Sequence, residues 1–366
     1  MIRPSLKHLW QRDSLTRWVS LFLTGVTLSL TIAACTGGGT AGNSNASSAN
    51  GSSSAAKEVE LTLVSFAVTR AAHEQIIPKF IEKWKQEHNQ TVTFNQSYAG
   101  SGSQTRAVID GLEADVVHLA LALDTEKIEK AGLIEPGWEN EAPNNAIVSK
   151  SVAALVTREG NPKGIKDWAD LTKEGVSVIT ANPKTSGGAR WNFLALWGAI
   201  TRTGGDDGKA QEFTTNVFKN VPVLPKDARE ASDVFFKQGQ GDVLINYENE
   251  VILAGLNGEK LPYVIPEVNI SIDNPIAVVD KNVDKHGTRE VAEAFVQFLY
   301  TPEAQREFAK LGFRPVDPTV GEETANKFTK LKTLFTAQDL GGWDSIQKQF
   351  FDDGAIFDKV QADTKK

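Results

Sequence analysis

The chain has 366 residues, more than one hydrophobic core usually serves, so two lobes with flanking segments are expected. Hydrophobic residues make up 40% and charged residues 23%, the range of ordinary folded domains, which excludes wholesale disorder. The formal net charge of −7 argues against nucleic acid and anionic lipid as partners, because both are bound through clustered Lys and Arg.

The first predicted element is an export signal over residues 1–34. Arg3, Lys7, Arg12 and Arg17 form a charged start, 18–32 is an apolar run, and Ala33-Ala34-Cys35 is a small-residue cleavage site. The run is shorter than the ~20 apolar residues a spanning helix needs. Ile32-Ala33-Ala34-Cys35 resembles a bacterial lipobox with isoleucine for the usual leucine, so the sole cysteine is expected to be lipidated. A single cysteine excludes an intrachain disulfide and a Cys-x-x-Cys zinc site. Cleavage would remove four basic residues and one acidic residue, moving the formal charge from −7 to −10. An anionic ligand would then have to be held by local geometry.

From Thr36 to Ala56 the chain is Gly, Ser, Ala, Asn and Thr, a composition that buries nothing and reads as a flexible tether. The spacing then predicts a strand over 59–67, a helix over 74–87, a strand over 92–98, a helix over 104–112 and a buried strand over 114–122. This rhythm implies α/β architecture with mostly parallel sheets flanked by helices. After Pro136-Gly137 it restarts: a strand over 147–157, a short strand over 176–180, a helix over 189–200, a strand at Val221 and a helix over 228–237. A strand over 243–246, another over 274–279 and closing helices over 290–300 and 302–311 complete the chain.

Two polar segments each follow a predicted strand and open a predicted helix: Gly100-Ser101-Gly102-Ser103 and Thr185-Ser186-Gly187-Gly188. At a helix N-terminus the backbone N–H groups lack partners and the dipole favours negative charge. Glycine admits an oxyanion to the main chain and serine adds a donor, so both segments have the composition of anion cradles. Read alone, each is also a plain set of caps and turn residues. Ligands in open α/β sheets bind beyond the carboxyl ends of the strands, so two such segments facing each other would form a site between lobes.

Enzymatic readings find less support. The phosphate loop Gly-x-x-x-x-Gly-Lys-Ser/Thr and the elbow Gly-x-Ser-x-Gly are both absent. The five histidines show no metal-ligand spacing, and neither metal nor cofactor is called for.

Several stretches together resemble the periplasmic sulfate/thiosulfate-binding proteins of ABC importers, a type II solute-binding protein family, from about Val59 to beyond Phe357. They are Ser97-Tyr98-Ala99-Gly100-Ser101-Gly102, Glu113-Ala114-Asp115-Val116-Val117, Asn182-Pro183-Lys184-Thr185-Ser186-Gly187-Gly188-Ala189-Arg190-Trp191-Asn192, Gly241-Asp242-Val243-Leu244, Glu248-Asn249-Glu250 and Gly341-Gly342-Trp343. The resemblance implies a two-lobed fold with a ligand cleft. Lobe 1 would comprise 58–146 and 264–366, lobe 2 would comprise 147–263, and 35–57 would carry the lipid and tether. It implies that sulfate is held dehydrated by neutral donors at Ser101, Ser186, Gly187, Gly188, the backbone at Ala228, Tyr247 and, at the end of the first strand, Ala67. Tyr247 stands where many members have tryptophan, and Ala67-Val68 where an Asp-Pro often precedes Thr69-Arg70.

Donor-only recognition would select sulfate, which only accepts hydrogen bonds, over hydrogen phosphate, whose proton needs an acceptor. That argument expects Glu248 and Glu250 to point elsewhere, and it leaves Arg190 and Arg229 as electrostatic support or ordinary ion pairs. The implied function is capture of sulfate and delivery to a membrane permease by a monomer anchored at the periplasmic face. Thiosulfate, molybdate or another oxyanion is the alternative within the fold. A secreted sulfate- or phosphate-ester hydrolase is the alternative of a different class, and it would need a base or metal that the sequence does not offer.

Overall fold

The computed structural model describes residues 58–364, so the expected signal, Cys35 and the tether lie outside the described residues. The elements in order are β1 (Glu58–Phe66), α1 (Arg70–His88), β2 (Thr91–Ala99), α2 (Ser101–Ile109), β3 (Val116–His118) and α3 (Ala122–Lys130). Next come β4 (Ile147–Ser151), β5 (Ala153–Thr157), β6 (Val178–Ile179), α4 (Gly187–Thr201), α5 (Asp207–Lys219), α6 (Ala228–Phe236), β7 (Val243–Tyr247) and α7 (Glu248–Leu256). The chain closes with β8 (Tyr263–Val264), β9 (Val268–Ile270), β10 (Ile272–Val278), α8 (Asp280–His286), α9 (Arg289–Leu299), α10 (Pro302–Lys310), α11 (Pro318–Glu323), β11 (Thr333–Phe335), α12 (Gly342–Ile346) and α13 (Ile356–Thr364).

Two mixed sheets organise these elements. One has the order β2-β1-β3-β10-β4 and the other β6-β7-β5-β8, with a small β11-β9 pair beside them. In the first, β1 runs parallel to β2 and β3, and β10 is antiparallel to β3 and β4. In the second, β6 and β7 are parallel while β5 runs against β7 and β8. The run 147–157 reads as one strand in sequence but is two, because the chain leaves the first sheet at Val152 and enters the second at Ala153. The strand expected at Val221 does not form: Val221-Pro222-Val223-Leu224-Pro225 carries two prolines, which cannot donate to a ladder.

Side-chain periodicity explains the packing. In α1, Ile76, Ile77, Phe80 and Trp84 make one buried stripe, and the helix ends at Asn89 in the left-handed region (φ 48°), a conformation asparagine tolerates. Helix α4 is apolar on nearly every side and is buried from Gly187 to Ala199, as expected of a helix enclosed by other elements. Much of its cover is the C-terminal segment. Trp343 meets Trp191 edge-on with ring centroids 4.7 Å apart, and Phe350, Phe351 and Phe357 surround Phe193.

The topology brings the carboxyl ends of β1, β2 and β3 to one edge, with Phe66 in register with Ala99 and Ser65 with His118. β1 and β2 run on into helical turns and β3 reaches α3 after three residues, so helix N-termini collect along that edge. In the second sheet β7 runs directly into α7 and β6 leads through 180–186 into α4, and the two edges meet.

Candidate anion site

Where the edges meet lies a small cavity of ≈ 10 Å³, lined by Phe66, Ala67, Val68, Ala99, Gly100, Ser101, Ala120, Ser186, Gly187, Gly188, Asp227, Ala228 and Tyr247. All seven residues named above as ligand contacts are on this wall: Ala67, Ser101, Ser186, Gly187, Gly188, Ala228 and Tyr247. They come from separate places in the chain, and the fold brings them together.

The wall is rich in unpaired donors for a reason built into helices. N–H groups of the first turn have no carbonyl one turn behind them. Ser101 and Gly102 open α2, Gly187 and Gly188 open α4, and Ala228 opens α6. Local capping satisfies later positions: Ser186 Oγ accepts from Ala189 N at 3.2 Å, and Asp227 Oδ1 accepts from Glu230 N at 2.9 Å. The leading N–H groups remain directed at the cavity end of each helix.

Close approach is what the glycines provide. A Cβ on Gly187 would sit 2.6 Å from Ala120 Cβ and 3.2 Å from Ser101 Cβ, and one on Gly188 would sit 2.6 Å from the Tyr247 ring. A Cβ on Gly100 would meet Thr185 O at 2.6 Å. The ends of the two sheets are thus in van der Waals contact around the cavity, and any side chain at these positions would hold them apart.

The side chains divide into those already engaged and those still free. Ser101 Oγ donates to Asp124 Oδ2 at 2.6 Å and accepts from Ala120 N at 3.0 Å, so this serine has only its backbone N–H to offer, and the expected hydroxyl donor is spent. Ser186 Oγ accepts from its own helix and keeps its proton available. Tyr247 Oη is buried and has no hydrogen-bond partner. Burial, reinforced by Glu250 and Asp124, holds the Tyr247 phenol well above its usual pKa, so it stays a donor.

Arg190, Arg229, Glu248 and Glu250 are paired away from the cavity. Arg190 Nη1 meets Asp124 Oδ1 at 3.2 Å and its Nε donates to Pro183 O at 3.0 Å, tying α4 to α3 beneath the wall. Arg229 pairs with Glu250 at 2.7 Å, and Ser232 donates to the same carboxylate. Glu248 takes a bidentate Arg314 at 2.7 and 3.1 Å. Burial raises the pKa of both glutamates against the pull of their arginines. Neither glutamate lines the cavity.

Asp227 is not among the residues the sequence pattern singles out. It is 6% exposed and is the one charged residue on the wall. The signal that could have found it is the Asp227-x-x-Glu230 spacing at the head of a helix, where an aspartate belongs as cap. Among the described residues no cluster of His, Cys, Asp and Glu is arranged to hold a metal. His73 and His118 form a buried pair, 3.1 Å between Nε2 and Nδ1, with Tyr98 Oη 2.9 Å from His73 Nδ1.

Comparison with known proteins places this architecture. Residues 61–314 match the family model described as bacterial extracellular solute-binding protein. A sulfate-binding protein of Synechococcus elongatus is 61% identical over 97% of this chain and 98% of its own length. A thiosulfate-binding protein of Pseudomonas aeruginosa is 39% identical over 81% of this chain and 90% of its own length. The solved structure of a sulfate-binding protein from Mycobacterium tuberculosis superposes with a TM-score of 0.74 at 39% identity, covering 80% of this chain and all of that one. Two mixed sheets with a cavity between their edges, found in a chain this similar to these proteins, make it a two-lobed binding protein and not an enzyme: it belongs to the bacterial extracellular solute-binding protein family.

Proposed function

We propose that this protein captures sulfate between its two lobes outside the cytoplasm and delivers it to an ABC importer. The observation that carries the reading is the unpartnered, buried Tyr247 hydroxyl facing a cavity ringed by unpaired helix N–H groups and devoid of lysine and arginine. Such a wall, donor-rich apart from the Asp227 carboxylate, suits a ligand that is chiefly a hydrogen-bond acceptor. The assigned contacts are the backbone N–H groups of Ala67, Ser101, Gly187, Gly188 and Ala228, with the hydroxyls of Ser186 and Tyr247. The donors are charge-assisted once a dianion is bound, and such bonds contribute roughly 1.5 to 3 kcal/mol each.

The delivery step follows from the same geometry. Ligand bridges both edges of the cavity, so it stabilises the closed arrangement over an open one, and a membrane permease reads that difference. The signal at 1–34 takes the chain to the periplasm, Cys35 carries the lipid, and 36–56 is the tether from which a monomer reaches its permease.

A thermal-shift panel with sulfate, thiosulfate, molybdate and phosphate in anion-free buffer tests the ligand. Sulfate is expected to raise the melting temperature most, as a ligand that binds only the folded form must. A larger shift with thiosulfate or molybdate would move the assignment to that anion, and no shift with any of the four would remove oxyanions from the account.

A further inference from the structure

The one charge on the cavity wall has the same sign as the proposed ligand. Asp227 caps α6, its Oδ1 accepting from Glu230 N at 2.9 Å, and the next residue, Ala228, opens the helix and lines the cavity. The carboxylate and the ligand therefore share the positive end of one helix. Cap and charge are separable, since asparagine and serine cap as well as aspartate does. A neutral cap would have satisfied the helix without placing a negative charge beside a dianion. Asp227 also borders the groove outside the cavity, together with Ala67, Ala99, Arg70 and Lys226, so it stands at the boundary between the enclosed space and the cleft mouth. Among the residues lining the cavity it is the only carboxylate, and hence the only strong acceptor that has no proton of its own to give.

Resting on the sulfate reading above, we propose that Asp227 is a specificity-determining residue: its charge limits how tightly the site retains a fully deprotonated oxyanion, and its carboxylate gives a singly protonated oxyanion its one acceptor. The site is then tuned for exchange of sulfate instead of maximal retention, and its discrimination against hydrogen phosphate is smaller than a donor-only wall would give.

Sulfate and hydrogen phosphate separate the two parts, because at about pH 8.5 both are chiefly dianions and differ in one O–H. The purified protein and its Asp227→Asn and Asp227→Ser variants would be titrated calorimetrically with each anion, with stopped-flow dissociation rates for sulfate. Melting of the ligand-free variants would check that the cap survives. The expected result is sulfate binding on the order of tenfold tighter in both variants, mostly through slower dissociation, with phosphate gaining severalfold less. Sulfate binding no tighter than in the parent in both variants, or phosphate gaining as much as sulfate, would overturn the inference. Failure of the parent itself to bind sulfate would instead sink the functional reading on which it rests.

Discussion

Tyr247 ends β7 with a hydroxyl that is buried and unpartnered. A buried donor without a partner costs stability until something accepts from it. Tyr247→Phe is therefore expected to weaken sulfate binding about ten- to a hundredfold, the worth of one hydrogen bond to a charged group, while leaving the ligand-free protein as stable as before or slightly more so. Calorimetric titration beside thermal melting reads both; a variant that bound sulfate normally would remove Tyr247 from the site. The residues at the heads of α2 and α4 are legible in sequence because a Ser-Gly string between a strand and a helix is a local signal. Asp124 is not: it sits under Ser101 through a contact 23 residues away in the chain, which no local pattern announces. The histidines are legible only as core or surface residues. Burial drives the His73 pKa down to about 3 and lowers that of His118 well below normal, with His73 adding to the effect. The unfolded chain takes up protons near pH 6.5 that the folded one refuses, so stability falls as pH drops from about 6.5 toward 3. The loss by pH 5 should be about 2 kcal/mol for His73, with His118 acting in the same direction, and urea unfolding at pH 7 and 5 would show it. His73→Gln should shrink that loss. His286, raised by Asp115 and then Glu113, acts the other way and more weakly at its partly exposed position: its contribution is full below about pH 6.5 and fades as pH rises through its folded pKa.

Helix α4 links the cavity to the core at the scale of elements. Its first turn is wedged between Ala120 and Ser101 on one side and Tyr247 on the other, and the rest of it is enclosed. Gly187→Leu is expected to abolish detectable sulfate binding, because the side chain would occupy the gap that closes over the ligand. The ligand-free protein can keep the lobes apart and should melt within a few degrees of the parent. Small-angle scattering should then show no compaction on adding sulfate; compaction equal to the parent's would contradict the wedge. Most elements follow from periodicity, as in α1 and α9. The exceptions have physical causes. Val221 to Pro225 reads as a strand because valine and leucine outweigh the two prolines in the pattern. The break at Val152 is invisible in sequence because no glycine or proline interrupts 147–157, so local pattern alone cannot show where a run passes from one sheet to another. The strand expected over 114–122 is only three residues long, because Leu119 to Leu121 leave the ladder and bring Ala120 to the cavity.

For the whole molecule, the C-terminal segment packs behind the cavity wall and braces α4 and the loop before it. Lys184, two residues before Ser186, donates to Phe351 O at 3.1 Å and pairs with Asp358 at 3.0 Å, so the segment holds the loop that leads into α4. Phe357 is fully buried against Phe193 and Phe218. Phe357→Ala should cost about 3 to 5 kcal/mol in denaturant unfolding, the usual cost of emptying so large a buried side chain, and a cost under about 1 kcal/mol would mean the segment is only loosely attached. Fold class and the two cradles are legible in the amino-acid sequence, since both follow from short-range pattern. The cavity's lack of lysine and arginine, and its single carboxylate, are properties of the folded chain, because they depend on which distant residues meet. Isothermal titration of the purified protein with sulfate in anion-free buffer asks whether these parts form one closing sulfate site. One-to-one saturable binding is expected, lost in Gly187→Leu and weakened in Tyr247→Phe. No heat on adding sulfate, or binding that both variants retain unchanged, would contradict it.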